Sequence, residues 1–277
     1  MKHDPRITPW RDGIAARSLE GVIEAEVYLD PKAMSCAFAA TGIRSAPDSN
    51  SEQMDQLLFG ERFEVLEEEG AWLFGQAARD GYVGFVEAAA LAPAGPLPTH
   101  RVSALRTYAF AQATIKSRAS GPYSINSLVA VETVEDKLAK VAGAGWMTAA
   151  HLEPIGMFED DWAAVAERFV GAPYLWGGRE SLGLDCSGLV QQALFACGRA
   201  CPRDTDQQQA LGAPIEAADF GRGDLVFWKG HVALGVGDGK IVHANGHHMA
   251  TVIEPLAEAV ARIDAAGSGR PTAYRRV

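Results

Sequence analysis

The sequence predicts an α+β protein in which two small strand-rich units precede a larger unit of helices followed by antiparallel strands. Three observations carry this prediction. Short apolar runs separated by turn residues fill residues 26–92, and prolines 93, 96 and 98 crowd the segment that follows. Beyond Pro154 the apolar spacing turns helical before it returns to strands.

Residues 1–25 read as a lead-in, because Pro5, Pro9 and Gly13 interrupt any periodic pattern. In residues 26–94 the clearest strands are Phe63–Leu66, Ala71–Phe74 and Tyr82–Val86. Ala92–Pro98 reads as a linker, since proline disfavours both helix and central strand. Residues 95–155 then repeat the pattern. Gly81-Tyr82-Val83 runs through small residues to Leu91-Ala92-Pro93, and Gly145-Trp146-Met147 runs likewise to Leu152-Glu153-Pro154, which suggests a tandem duplication. In residues 156–277 a helix is expected over Glu159–Val170, and a second over residues 186–196 with Leu189, Val190, Ala193 and Leu194 on one stripe. Strands are expected at Asp224–Trp228, His231–Val236 and Lys240–Ala244.

The chain has 277 residues and a net charge of -10, with 25 Lys and Arg against 35 Asp and Glu. That balance argues against nucleic acid and against an anionic membrane surface as partners. No run approaches the roughly 18 apolar residues needed to cross a bilayer, and the charged N-terminus is followed by no apolar signal core. Four cysteines are too sparse for a disulfide framework, so the expectation is a reduced, cytoplasmic protein.

Cys186 is the chemical focus. It opens a predicted helix in Leu184-Asp185-Cys186-Ser187-Gly188, where the positive end of the helix dipole and a nearby imidazolium would lower a thiol pKa of about 8.5. Its own backbone N–H, at the first helical position, suits an oxyanion hole. A buried structural cysteine is the commoner fate of a free thiol, and Cys197 and Cys201 fit that description. Their spacing lacks the second Cys/His pair that structural zinc requires.

His231 and His243 each sit in an apolar strand pattern, on strands joined by Gly237-Asp238-Gly239. A two-residue turn at Asp238-Gly239 puts the two imidazoles on opposite faces of the hairpin. A three-residue loop, with Gly239 in the left-handed conformation, sets Ala233 opposite His243 and puts both on one face. A catalytic pairing, His231 as base and His243 as the group orienting it, therefore predicts the three-residue loop.

Five ordered blocks within residues 159–277 resemble the NlpC/p60 family of cysteine peptidases. They are Gly171–Gly178, Leu184–Val190, Gly223–Phe227, His231–Ala233 and Ile241–Ala244. The resemblance implies a papain-like catalytic domain preceded by two SH3-like β-barrels, with Cys186 as nucleophile, His231 as base, His243 as third polar residue, and no cofactor. The layout is similar to the γ-D-glutamyl-L-diamino acid endopeptidases, which trim murein peptides bearing a free N-terminal L-Ala. That subgroup uses its first SH3 domain to wall the site and acidic side chains to hold the substrate ammonium. By resemblance the substrate contacts are Tyr174, Asp185, Ser187, Asp204 and Thr205, with Glu52 and Tyr82 from the first β unit. A secreted hydrolase of intact peptidoglycan and a non-catalytic wall-binding protein are the competing expectations.

Overall fold

The computed structural model describes residues 3–277 and divides into two compact units, Met1–Ile155 and Gly156–Val277.

The first unit is built almost entirely of strands. The lead-in is not featureless: Trp10–Arg11 and Ile14–Ala16 form a hairpin about Asp12 and Gly13, both at positive φ, and Val27–Leu29 adds in parallel. Gly13, read from sequence only as a breaker, supplies the turn. Seven strands between Lys32 and Pro93 then make one sheet, in which Arg62–Glu69 pairs with Trp72–Ala77 and that strand with Val83–Glu87. Strand alternation sends Phe63 and Val65 inward while Glu64 stays half-exposed. Their core includes Ile43, Leu57, Leu73 and Val86.

A second β unit follows, with a five-stranded sheet and a three-stranded one over residues 100–154. Its core gathers Val102, Ala109, Tyr123, Val129 and Met147. The duplication read from the sequence takes the same physical form in both halves. Val83–Glu87 passes through a 3-10 turn at Ala88–Ala90 into Leu91–Pro93, and Gly145–Thr148 passes through Ala149–His151 into Leu152–Pro154.

In the second unit, helix α1 (Trp162–Glu167) is shorter than the expected span. It starts at Asp161, whose carboxylate accepts from the N–H groups of Ala163 and Ala164. Helix α2 (Cys186–Ala196) has the expected bounds, but every one of its residues is buried rather than a single stripe, which makes it a core helix. A short helix α3 (Thr205–Gln208) follows.

Strands β1 (Asp224–Trp228), β2 (His231–Gly237) and β3 (Lys240–Asn245) form where the apolar runs predict them. Three further elements complete the unit: β4 (Ala250–Pro255), helix α4 (Leu256–Ala265) and β5 (Ala273–Arg276). The expectation of strands alone after Gly223 is thus corrected by α4. Its residues Leu256, Ala259, Val260 and Ile263 pack on Val226, Trp228, Ala233 and Ile241 of the sheet. The sheet runs β5-β1-β2-β3-β4, with Ala213–Pro214 paired outside β5. Complete burial of Phe227 and Phe169 contributes about 1.5–3 kcal/mol each from apolar surface removed from water.

Candidate active site

Cys186 is the first residue of α2, and the residues around it explain why a helix starts there. Asp185 occupies the N-cap with extended backbone, and its Oδ1 accepts the Gly188 N–H at 2.8 Å. A Cβ on Gly188 would stand 2.3 Å from the Gly178 carbonyl oxygen, so only glycine allows this approach. The rest of the Asp185 carboxylate is also in use. Oδ2 accepts from the Gly177 N–H at 2.9 Å and from Arg203 Nη2 at 2.6 Å, and Oδ1 also accepts from Arg203 Nη1 at 3.0 Å. Arg203 is 1% exposed and donates in addition to Ser187 Oγ at 2.8 Å. Asp185 and Ser187, expected to touch substrate, are therefore buried and engaged within the fold, where with Arg203 they hold the start of α2. Sequence reasoning missed Arg203, although it lies in the block that singled out Asp204.

The thiol lies among polar groups from three elements. Cys186 Sγ is 3.8 Å from Thr205 Oγ1 at the start of α3, and the backbone N–H of Val232 in β2 is directed at it. The His231-Val232 backbone thus runs beside the nucleophile. Tyr174 reaches the same place from the loop before α2. Its N–H donates to the Met249 carbonyl at 3.0 Å, and its chain bridges to Leu184. Burial and the neighbouring Cys186 and Asp185 push the Tyr174 hydroxyl well above its usual pKa.

The electrostatics correct one expectation. The Cys186 pKa is not lowered but pushed up to about 11, first by burial and then by the Asp185 carboxylate. The Val232 N–H, the Thr205 hydroxyl and the Arg203 charge act in the opposite sense and do not win. His231 is lowered to about 4 by burial and by the charge of Arg262. His243 is lowered to about 2 by burial, His231 and Arg262. Burial thus favours the neutral form of both the Cys186 thiol and the His231 imidazole.

The two histidines meet: His231 Nε2 lies 2.8 Å from His243 Nδ1. The route to that contact differs from the three-residue loop. Asp238 (φ 52°) and Gly239 (φ 66°) form a two-residue turn with both residues left-handed, which pairs Gly237 with Lys240. Taken alone, that turn would separate the imidazoles. A β-bulge at Val236 then shifts the register by one, so that Gly235 faces Ile241 and Leu234 faces Val242. The bulge restores the shared face that the loop was expected to provide.

Beyond His243 the contacts continue. His243 Nε2 lies 2.7 Å from Glu254 Oε1 in β4, and Arg262 of α4 pairs with the same carboxylate. Neither Glu254 nor Arg262 stood out in the sequence, because their significance lies in pairing across strands. The ring of Trp228 lies 5.7 Å from that of His231.

Asp204 is the N-cap of α3, and its N–H donates to Gln207 Oε1 at 3.4 Å. Asp204 and Thr205 are half-buried. Thr205 also lines a cleft of about 380 Å³ with Asp206, Gln209, Trp228 and Lys229. Glu52 and Tyr82 belong to the first unit. Glu52 is exposed just ahead of the strand Gln53–Leu58, and Tyr82 is buried in the first barrel's core with Ile43 and Phe63.

A thiol at a helix start, with a histidine pair on the adjoining hairpin, is an arrangement that can support nucleophilic cysteine chemistry. Consistent with that site, the NlpC/P60 family matches residues 171–263, and the bacterial dipeptidyl-peptidase SH3 domain matches residues 43–91. The chain belongs to the NlpC/P60 family. It is 31% identical over 215 residues to the gamma-D-glutamyl-L-lysine dipeptidyl-peptidase of Bacillus subtilis (strain 168), covering 68% of this chain and 71% of the relative. A shorter match, 32% identical over 107 residues, joins it to the peptidoglycan endopeptidase RipB of Mycobacterium tuberculosis, covering 32% of this chain and 44% of the relative. The crystal structure of an NlpC/P60 family protein from Bacillus cereus shares the fold, with a TM-score of 0.76 at 19% identity over 88% of this chain and 99% of that one.

Proposed function

We propose that the protein hydrolyses the bond between γ-D-Glu and the diamino acid in murein peptides that carry a free N-terminal L-Ala. The observation that carries this reading is the Cys186–His231–His243 site in a chain similar over most of its length to a gamma-D-glutamyl-L-lysine dipeptidyl-peptidase.

The chemistry follows from the resting protonation. His231 takes the thiol proton as Cys186 Sγ attacks the γ-carbonyl carbon, so thiolate and imidazolium form only as the new bond forms. The Cys186 N–H, which no intrahelical carbonyl can accept, donates to the developing oxyanion. The C–N bond breaks, the leaving amine takes the proton from His231, and a thioester remains. Water, deprotonated by His231, then releases the acid and restores the thiol.

Asp204 is the carboxylate proposed to hold the substrate ammonium by a charge-assisted hydrogen bond, with Tyr174 and Thr205 lining the approach. Parts for Glu52 and Tyr82 rest on the resemblance alone. Recycling of peptides already freed from the wall, in the cytoplasm, belongs to the same proposal. Among the described residues no helix is long and apolar enough to cross a membrane.

The test incubates wild type and Cys186→Ala with the free tripeptide, its N-acetylated form and intact sacculi. Release from the free tripeptide by wild type only is expected. Equal release by both proteins would overturn the enzyme reading. Equal cleavage of acetylated and free peptide would overturn amine recognition, and release from sacculi would overturn the recycling role. Fractionation with a cytoplasmic marker tests the location.

A further inference from the structure

Three side chains lie in contact on three successive strands of one sheet. His231 leads β2, His243 lies in β3, and Glu254 lies in β4, each within hydrogen-bond reach of the next. The pairings His243 with Val252 and Ile241 with Glu254 put His243 and Glu254 on the same face. Arg262 then reaches back from α4 to ion-pair with Glu254.

We infer that Glu254 is a positioning residue for the peptidase base, fixing through His243 which nitrogen of His231 is free to take the thiol proton. The inference rests on Cys186 and His231 being the reacting pair. An ionised carboxylate has no hydrogen to give, so His243 Nε2 must carry the proton in the contact with Glu254. A neutral imidazole with its proton on Nε2 has its lone pair on Nδ1. His243 Nδ1 therefore accepts, and His231 Nε2 donates to it. The lone pair of a neutral His231 is thereby left on Nδ1, the only remaining nitrogen that can accept a proton.

Without Glu254 this polarity is no longer imposed. His243 is then free to carry its proton on Nδ1 and donate it to His231 Nε2. That arrangement puts the His231 proton on Nδ1, where a base needs a lone pair. The contact between the two histidines survives at the same length, yet it no longer serves proton removal. Arg262 has a defined part in this. It ion-pairs with the same Glu254 oxygen that meets His243 Nε2, and so holds that carboxylate in place.

Two measurements test the inference. The first is nitrogen-15 NMR of the histidine side chains in the wild-type full-length protein at neutral pH. His231 is expected to show a pyridine-like Nδ1 and a pyrrole-like Nε2, and His243 the same pattern. A pyrrole-like Nδ1 on His231 would overturn the inference without any variant. The second is Glu254→Leu, close to Glu in volume but unable to accept a hydrogen bond. It is expected to lower kcat about 10²-fold, the lower end of what acid–base catalysis supplies, with little change in KM. A kcat within twofold of wild type sinks the role of Glu254. If Cys186→Ala also retains activity, the reading of the catalytic pair has failed. If Cys186→Ala is inactive while Glu254→Leu is not, only the positioning role has failed.

Discussion

Arg203 grips the carboxylate of Asp185 through both terminal nitrogens, at 3.0 and 2.6 Å, immediately ahead of Cys186. The pair is buried on both sides. It therefore fixes the first turn of α2 by geometry rather than by the weak attraction typical of surface ion pairs.

Removing one partner of such a pair leaves a buried charge unmatched. Arg203→Ala is expected to destabilise the catalytic unit by about 3–5 kcal/mol. Arg203→Lys is expected to recover only part of the loss, because an ammonium cannot bridge two carboxylate oxygens and Ser187 in one plane. Urea unfolding followed by tryptophan fluorescence measures both. Wild-type stability in Arg203→Ala would show that the pair is dispensable.

The bulge at Val236 yields a sharper test of the hairpin. Deleting Val236 leaves the two-residue turn at Asp238-Gly239 intact and removes the extra residue, so Gly237 still faces Lys240, Gly235 still faces Ile241, and His231 and His243 keep their shared face. The expected result is a folded protein, judged by circular dichroism, with activity within about tenfold of wild type. A folded but inactive protein would show that the bulge does more than set which face the histidines share.

Acid should weaken the fold through the two histidines. An unfolded histidine titrates near 6.5. Folded His231 and His243 titrate at about 4 and about 2. Above pH 6.5 both states are neutral and this contribution is complete. As pH falls below 6.5 the unfolded chain takes protons first, and stability drains away down through the folded values. Between pH 7 and pH 4.5 the loss from these groups should be of the order of 5 kcal/mol, about half from each. His243→Gln should show a shallower decline in urea midpoint over that range than wild type. Parallel curves for the two proteins would contradict the depressed values.

The raised thiol predicts slow alkylation. Iodoacetamide should modify Cys186 at neutral pH more slowly than a free cysteine, with the rate climbing toward pH 11. A rate already at its plateau by pH 7 would show a preformed thiolate.

Much of the catalytic unit is legible in local pattern. The bounds of α2 follow from Asp185 as cap, Gly188 in the first turn and the left-handed Gly198 beyond its end. Strands β1 to β3 follow from their apolar runs. Helix α4 was equally readable, since Leu256, Ala259, Val260 and Ile263 keep helical spacing. The hairpin turn and its bulge could not be separated by sequence, because both solutions put Gly239 at positive φ and both histidines on one face. Arg203, Glu254 and Arg262 were beyond reach for another reason. Each acquires its role from a partner 18, 11 or 8 residues away, brought close only by the folded chain.

The sheltered state of Cys186 bears on how long the protein lasts. The residue is 7% exposed and burial pushes its thiol pKa up to about 11, and peroxide reacts with the thiolate. Burial and the raised pKa therefore disfavour sulfenic acid formation at Cys186. Durability under oxidants and restraint toward stray electrophiles come from the same buried hydrogen.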